Sequence, residues 1–451
     1  MRAFDRRAIE QIGLPALVLM ENAALAVAEA IGEGWPAARR VAIVGGPGNN
    51  GGDGFALARQ LVTRGYQVDV WSATGGREPS PEARHQLAVL AQLGIPVGSA
   101  DAGAVGELAD SLAACDLIVD ALFGAGLTRP LAGHWAALVA AIAAAGRPVL
   151  AVDLPSGLDG DRSQPIGPAV RADRTVALGA LKPALVLPPA CGLAGEVGVA
   201  DLGLPCDPPA GPGSLHLLVA DEVAGWLAPR PSDAHKGSFG HVLLLAGGEG
   251  KAGAAVLAAR AAVAAGAGLV TVAAPASTVA ALADACPEAM TLPLPVAAGG
   301  GLGAAALDRL RDAAVAGRVL AVGPGLGRQA ETLATVRQLV LEAALPLVLD
   351  ADGLAAFEGD LEALAARRAP SVLTPHPGEM ARLLATTTAG IAADRLAAVR
   401  TAAARSGCLV VLKGERTLVA APDGEAWVNS TGNSGMASGG SGDALTGVVA
   451  A

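Results

Sequence analysis

Acids and asparagines stand in this chain where a sheet could gather them. Asp120 closes the apolar run Leu117–Val119 and is followed by Ala121-Leu122-Phe123-Gly124. Asp153 closes Val149–Val152 and opens Leu154-Pro155-Ser156-Gly157-Leu158-Asp159. Asn49 and Asn50 follow Val41–Val44, inside Gly45-Gly46-Pro47-Gly48-Asn49-Asn50-Gly51-Gly52-Asp53-Gly54. In a parallel sheet the carboxyl ends of the strands meet at the ligand crevice. Asn50, Asp120 and Ser156 would bring an amide, a carboxylate and a hydroxyl there, hard oxygens that suit a monovalent cation. Taken singly, each is a helix cap or a turn residue. Three at successive strand ends favour a site.

A second constellation lies near the other end. Gly439-Gly440-Ser441-Gly442-Asp443 has the makings of a phosphoryl-transfer site. Bare N–H groups at a helix start bind anions, and only glycine lets a phosphate approach them closely. Asp443, in the first turn, can take a proton from a substrate hydroxyl. A first-turn acid is also what the helix dipole favours. Upstream, Lys413-Gly414-Glu415-Arg416-Thr417 sits on a strand end, where Lys413 could meet a nucleotide phosphate. Thr374-Pro375-His376-Pro377-Gly378-Glu379 is another strand-to-helix turn, with His376 fixed between two prolines. Gly323-Pro324-Gly325-Leu326-Gly327 adds a third loop for close approach.

The rare residues agree. All five asparagines (Asn22, Asn49, Asn50, Asn429 and Asn433) fall in or beside these stretches. The four lysines are Lys182, Lys236, Lys251 and Lys413. Where arginine fills the ordinary surface, a lysine marks a place for a compact ammonium.

The elements that must position these residues alternate strand and helix. In the first half, strands are expected at Val41–Val44, Tyr66–Trp71, Leu117–Ala121, Pro148–Val152, Thr175–Leu178 and Val197–Val199. Helices fit Phe55–Arg64, Glu82–Leu93 and Trp135–Ala145. This rhythm implies a doubly wound parallel sheet. Pro205–Gly213, rich in proline and glycine, reads as a linker. The rhythm restarts with strands at Val242–Ala246, Leu269–Ala273, Val319–Val322, Leu345–Leu349, Ser371–Thr374 and Leu409–Leu412. Helices fit Ala254–Ala265, Ala304–Ala316, Glu331–Ala344, Gly378–Leu384 and Asp394–Ser406. The chain ends at Ala451, about one turn into the helix that Gly442-Asp443 opens, so a truncated C-terminal domain is expected.

Composition narrows the classes. At 451 residues two domains are expected. The net charge of −10 shows no basic stripe, and aromatics are 2%, which argues against nucleic-acid binding. Mean hydropathy is high at +0.47, but its longest weakly charged stretch, Ala252 to Cys286, carries Arg260 and reads as helix, strand and helix rather than a membrane span. Five scattered cysteines without a Cys-x-x-Cys pair fit reduced thiols. A cytoplasmic homo-oligomer with small-molecule ligands is expected, without nucleic-acid or membrane partners.

Both halves resemble known families. Leu19-Met20-Glu21-Asn22-Ala23, the Asn-Asn-Gly-Gly-Asp loop, Asp120–Gly124 and Val152–Asp159 together resemble the NAD(P)H-hydrate epimerase domain, over residues 1–207. The resemblance implies interconversion of R and S hydrates of NADH and NADPH beside a potassium ion. It implies hydrate contacts from Asn49, Asn50, Gly51, Gly52, Asp53, Gly124, Ala125, Gly126, Leu127, Thr128, Arg129 and Pro130. Potassium would be held by Asn50, Asp120 and Ser156, and Asp153 would handle the proton. Ala24 and Ala125 depart from the usual glycine and threonine.

From residue 214 to 451, the Asp443, Lys413 and His376 motifs, with His235-Lys236-Gly237, resemble the ADP-dependent NAD(P)H-hydrate dehydratase domain, which is ribokinase-like. That resemblance implies phosphorylation of the ring hydroxyl and loss of phosphate, with Mg2+ and ADP. Asp443 would be the base. Ala254, Gly325, His376 and Asp443 would line the hydrate, and Lys413, Gly414, Glu415, Arg416, Thr417 and Gly442 the nucleotide. Glu249 and Lys251 replace a usual serine and tyrosine, and Glu249 is expected to weaken anion affinity unless Lys251 pairs with it. Two alternatives stay open: a small-molecule kinase of the same superfamily, and a non-catalytic binding module in the first half. A hydride-transferring dehydrogenase fits least, because no catalytic His or Lys accompanies the first loop.

Overall fold

Seven strands build the first sheet: β1 (Arg40–Gly45), β2 (Gln67–Ser72), β3 (Val97–Ser99), β4 (Leu117–Ala121), β5 (Val149–Val152), β6 (Arg174–Leu178) and β7 (Glu196–Ala200). Their order is β3-β2-β1-β4-β5-β6-β7, and every pairing is parallel. The order reverses between β1 and β4, which opens a crevice beyond their carboxyl ends. The computed structural model describes residues 6–101, 103, 105–204 and 213–451. The expected linker at 205–213 lies outside the described residues, except Gly213. Two compact units divide the chain, Met1–Pro208 and Pro209–Ala451.

Both faces of the first sheet are covered, as its apolar runs require. On one face, Met20, Val27 and Ile31 of the helix Ala16–Gly34 pack with Phe55, Leu57 and Leu61 of the helix Asn49–Thr63 over Val41 and Ile43. On the other, Leu108, Leu112, Leu138 and Ile142 cover Ala42, Val44 and Ile118.

The second unit holds a ten-stranded sheet: β8 (Leu215–Leu218), β9 (His241–Leu245), β10 (Leu269–Pro275), β11 (Met290–Leu294), β12 (Arg318–Val322), β13 (Leu347–Leu349), β14 (Ser371–Leu373), β15 (Leu409–Leu412), β16 (Thr417–Ala420) and β17 (Ala426–Asn429). The order is β11-β10-β9-β12-β13-β14-β15-β16-β17-β8. The run from β11 to β15 is parallel, whereas β15, β16 and β17 form an antiparallel meander. Two doubly wound α/β units are therefore the expected fold class. Among the described residues, no helix is long and apolar enough to cross a membrane.

Two expectations need correction. The first glycine loop is shorter than its composition suggests, because helix begins at Asn49 rather than at Phe55. Its glycines pack against neighbours instead of forming loop: a Cβ on Gly51 would stand 1.9 Å from the Gly46 carbonyl oxygen. Close packing outweighs the poor helix propensity of Asn-Asn-Gly-Gly-Asp-Gly. The last helix, expected as about one turn, runs ten residues, Ser441–Ala450, and packs on the alanine-rich helix Ala252–Ala265.

Candidate functional site

In the first unit, a cavity of about 920 Å³ opens where the strand order reverses. Asn49, Asn50 and Asp53 border it from the first turns of the helix after β1, and Asp153 from the end of β5. Gly124 to Pro130, the segment after β4, completes the wall. Gly51 and Gly52 lie outside that wall, packed on Gly46 and on the Met20 side chain. Ten of the twelve positions expected to meet the hydrate thus share one cavity with Asp153.

The segment Leu122–Ala125 ties the site together. Asp120, fully buried, accepts the Ser156 hydroxyl at 2.6 Å, the Ser156 amide at 2.8 Å and the Leu122 amide at 3.2 Å. The Phe123 amide donates to the Ser156 hydroxyl oxygen at 2.8 Å. A Cβ on Gly124 would stand 2.8 Å from Asp153 Oδ2 and 2.9 Å from Asn50 Oδ1, so glycine leaves these two groups room to face one another. Ala125 donates its amide to Asp153 Oδ2 at 3.0 Å. Asp153 has a left-handed backbone, φ +68°, unusual for a residue with a side chain.

Asp120 has only neutral donors among the described residues, and burial pushes its carboxyl up to about 6 against the opposing Ser156 and Leu122 hydrogen bonds. Among the described residues, Asn50 Nδ2 is buried without a hydrogen-bond partner. The buried Asp120 carboxylate and the Ser156 hydroxyl bonded to it are hard oxygens of the kind a monovalent cation takes, whereas Asn50 borders the cavity beside Gly124 and Asp153.

In the second unit, Asp350 directly follows β13 and is 1% exposed. Its carboxylate accepts Lys413 Nζ at 2.7 Å and the Thr446 hydroxyl at 2.8 Å. This joins the turn after β15 to the helix that carries Asp443. A Cβ on Gly442 would stand 3.5 Å from Lys413 Nζ, so those two nucleotide candidates are neighbours. Burial lifts the Asp443 carboxyl above its usual range, the Asp350 charge adds to this, and Lys413 opposes it. Gly325 and Ala254 also adjoin: a Cβ on Gly325 would lie 3.0 Å from Ala254 Cβ. Lys251 ion-pairs with Asp352 at 3.4 Å, so it is engaged away from Glu249.

Lys413 to Arg416 form the hairpin turn between β15 and β16, and Thr417 already begins β16. Arg395 pins this turn through the Glu415 carbonyl. The sequence placed these residues on a strand end because the antiparallel return of β16 carries no strong periodic signal. His376 caps the helix Pro377–Leu383, its Nδ1 accepting the Gly378 amide at 3.0 Å and the Glu379 amide at 3.3 Å.

Lys182, Asp350, Asp352 and Thr446 were not anticipated at these sites. Signals existed for three. Lys182 is one of four lysines, and Leu349-Asp350-Ala351-Asp352 repeats the strand-end acid pattern used for Asp120 and Asp153.

Comparisons with known proteins follow the same division. Residues 16–184 match the family model described as YjeF-related protein N-terminus, and residues 242–451 match the one described as NAD(P)H-hydrate dehydratase. The bifunctional NAD(P)H-hydrate repair enzyme Nnr of Moorella thermoacetica is 42% identical over 459 residues, covering 100% of this chain and 86% of that protein. Its counterpart from Escherichia coli K12 is 34% identical, covering 100% of this chain and 83% of its own. A crystal structure of the ADP/ATP-dependent NAD(P)H-hydrate dehydratase from Bacillus subtilis, co-crystallised with ATP and Mg2+, is 32% identical with a TM-score of 0.46, covering 52% of this chain and 79% of that one. The chain belongs to the family of bifunctional NAD(P)H-hydrate repair enzymes.

Proposed function

We propose that this chain repairs hydrated NADH and NADPH in two steps. The first unit, residues 1–207, interconverts the R and S hydrates. The second, residues 214–451, dehydrates the S hydrate with ADP, giving NAD(P)H, AMP and phosphate. The observation that carries this reading is full-length similarity to bifunctional repair enzymes, joined to two separate polar sites at the sheet ends.

In the first cavity, Asn49, Asn50, Asp53 and the wall Gly124–Pro130 hold the hydrate. Asp153 handles the proton at the hydroxylated ring carbon, because it is the carboxylate bordering the cavity next to Gly124. Asn50, Asp120 and Ser156 would hold potassium, which when bound supplies a fixed positive charge beside the substrate.

In the second site, Lys413 and Gly442 meet the nucleotide, and Ala254, Gly325 and His376 line the hydrate. Asp443 takes the proton of the ring hydroxyl as its oxygen gains a phosphoryl group. The C–O bond then breaks with its electron pair leaving on phosphate, and a proton is lost to solvent from the adjacent ring carbon, whose C–H electrons form the restored ring double bond. The raised pKa of Asp443 suits a base, since proton affinity closer to the working pH strengthens the transfer. Mg2+ would enter on the nucleotide phosphates, as this ion commonly does.

A cytoplasmic homo-oligomer is part of the same reading, tested by sedimentation of the full chain. The activity is tested by supplying pure S hydrate with ADP and Mg2+. Free NADH, AMP and phosphate are expected; a phosphorylated hydrate that persists would favour a small-molecule kinase.

A further inference from the structure

One buried charge in the first unit has no part in the chemistry described so far. Lys182 is 6% exposed and precedes the short helix Pro183–Val186. Its ammonium ion-pairs with Asp153 Oδ1 and donates to the Leu178 carbonyl at 2.9 Å. The same Oδ1 accepts the Leu178 amide at 3.2 Å, while Oδ2 accepts the Ala125 amide. Asp153 borders the cavity, and Lys182 lies outside the lining. The lysine stem is enclosed as well: a Cβ on Gly160 would lie 3.5 Å from Lys182 Cγ.

Burying an ammonium is costly, and a well-packed apolar side chain commonly stabilises such a position as well or better. Hydrogen bonding alone does not call for it, since two backbone amides already serve the carboxylate. The lysine adds a full positive charge at Asp153 Oδ1 while lying outside the cavity lining itself. It also braces a carboxylate whose backbone is in the left-handed region, where a side-chain-bearing residue persists only when its surroundings hold it.

We propose that Lys182 is a positioning residue of the first site: it fixes the orientation of Asp153, balances the charge Asp153 carries between proton transfers, and acts on substrate only through it. This rests on the assignment of Asp153 as the proton-handling group.

The test measures R-to-S conversion by the full chain for wild type, Lys182→Met, Lys182→Gln, Asp153→Asn and the Asp153→Asn/Lys182→Met double variant. Dehydration of pure S hydrate by the same polypeptide is the control for intact protein. Loss of Lys182 charge is expected to lower epimerisation kcat roughly 100-fold and to leave KM within about threefold. In the Asp153→Asn background, Lys182→Met is expected to cost nothing further. Lys182→Gln keeps a hydrogen-bond donor without charge, and the double variant removes both charges, so the comparison stands even where Lys182→Met alone folds poorly. Wild-type kcat in Lys182→Gln, a loss carried by KM rather than kcat, or losses that add fully with Asp153→Asn would each overturn the role of Lys182. A wild-type chain unable to speed R-to-S conversion would overturn the epimerase reading, and this inference with it.

Discussion

Asp120 and Ser156 are joined twice, through the serine amide at 2.8 Å and its hydroxyl at 2.6 Å, with Asp120 wholly buried. The bonds orient the carboxylate but do not neutralise it, and burial leaves it near 6. The folded pKa thus lies above the unfolded one, about 3.9. The folded state holds the extra proton between those values, so this group's contribution to stability is greatest below the window and falls as pH rises through it. Two pKa units correspond to roughly 3 kcal/mol by neutral pH. A bound potassium ion would offset that cost and compete with the proton. The potassium concentration for half-maximal epimerisation should therefore be flat above about pH 7 and rise about tenfold per pH unit below about 6. Asp120→Asn should abolish that pH dependence. A potassium requirement that ignores pH through this range would contradict the assignment.

Gly124 separates Asp153 and Asn50, two groups to which the proposed epimerisation assigns roles. In Gly124→Ala the new methyl would come within 2.8 Å of Asp153 Oδ2 and 2.9 Å of Asn50 Oδ1. Both are ends of side chains that can swing aside, so stability should fall by no more than about 1–3 kcal/mol. Epimerisation kcat/KM should fall further, by about 10- to 100-fold, because a displacement of about 1 Å suffices. Dehydration of pure S hydrate should be unchanged. Wild-type epimerisation in this variant would show that Asn50 and Asp153 do not act across Gly124.

Asp443→Asn should lower dehydration by about 10²–10⁴-fold while epimerisation persists. Asp350 gives a finer test. Burial raises the Asp443 carboxyl first, and the Asp350 charge raises it further. Asp350→Asn keeps an acceptor for Thr446 but removes that charge, so the acid limb of dehydration kcat/KM should move to lower pH. An upward shift would show that Asp443 is not the group titrating there.

Much of the first site was legible because strand-end polarity is written locally. Asp120, Asp153 and Asn50 each follow an apolar run; Asn50 and Asp153 border one cavity, whereas Asp120 lies outside its lining, bonded to Ser156. Lys182 was not legible as a partner of Asp153, since nothing in a run of Leu181-Lys182-Pro183 says that the ammonium turns inward. The edge of the second sheet was equally opaque. β11 carries Pro293, which an edge strand tolerates but which reads as a break. β16 and β17 are four residues each and too short for a periodic signal, and β8 joins β17 from far away in sequence. The helical start at Asn49 was hidden because glycine-rich composition reads as loop, whereas here it permits a helix to lie close to its neighbours.

His376 separates capping from substrate contact. Its Nδ1 accepts two amides at the start of Pro377–Leu383, so His376→Ala should destabilise the second unit by ~1 kcal/mol. Asparagine can cap in the same place. His376→Asn should therefore restore thermal stability while raising the KM for the S hydrate. If the asparagine variant matches wild type in both respects, His376 is a cap alone.

The most direct test of two repair activities in one chain follows the near-ultraviolet absorbance of reduced nicotinamide. Mixed R and S NADH hydrate is given to the full chain with ADP, Mg2+ and potassium. Full recovery of the signal, faster than spontaneous epimerisation permits, is the predicted result. Rapid recovery of the S fraction only, with the R fraction returning at the spontaneous rate, would contradict the assignment of an epimerase to the first unit.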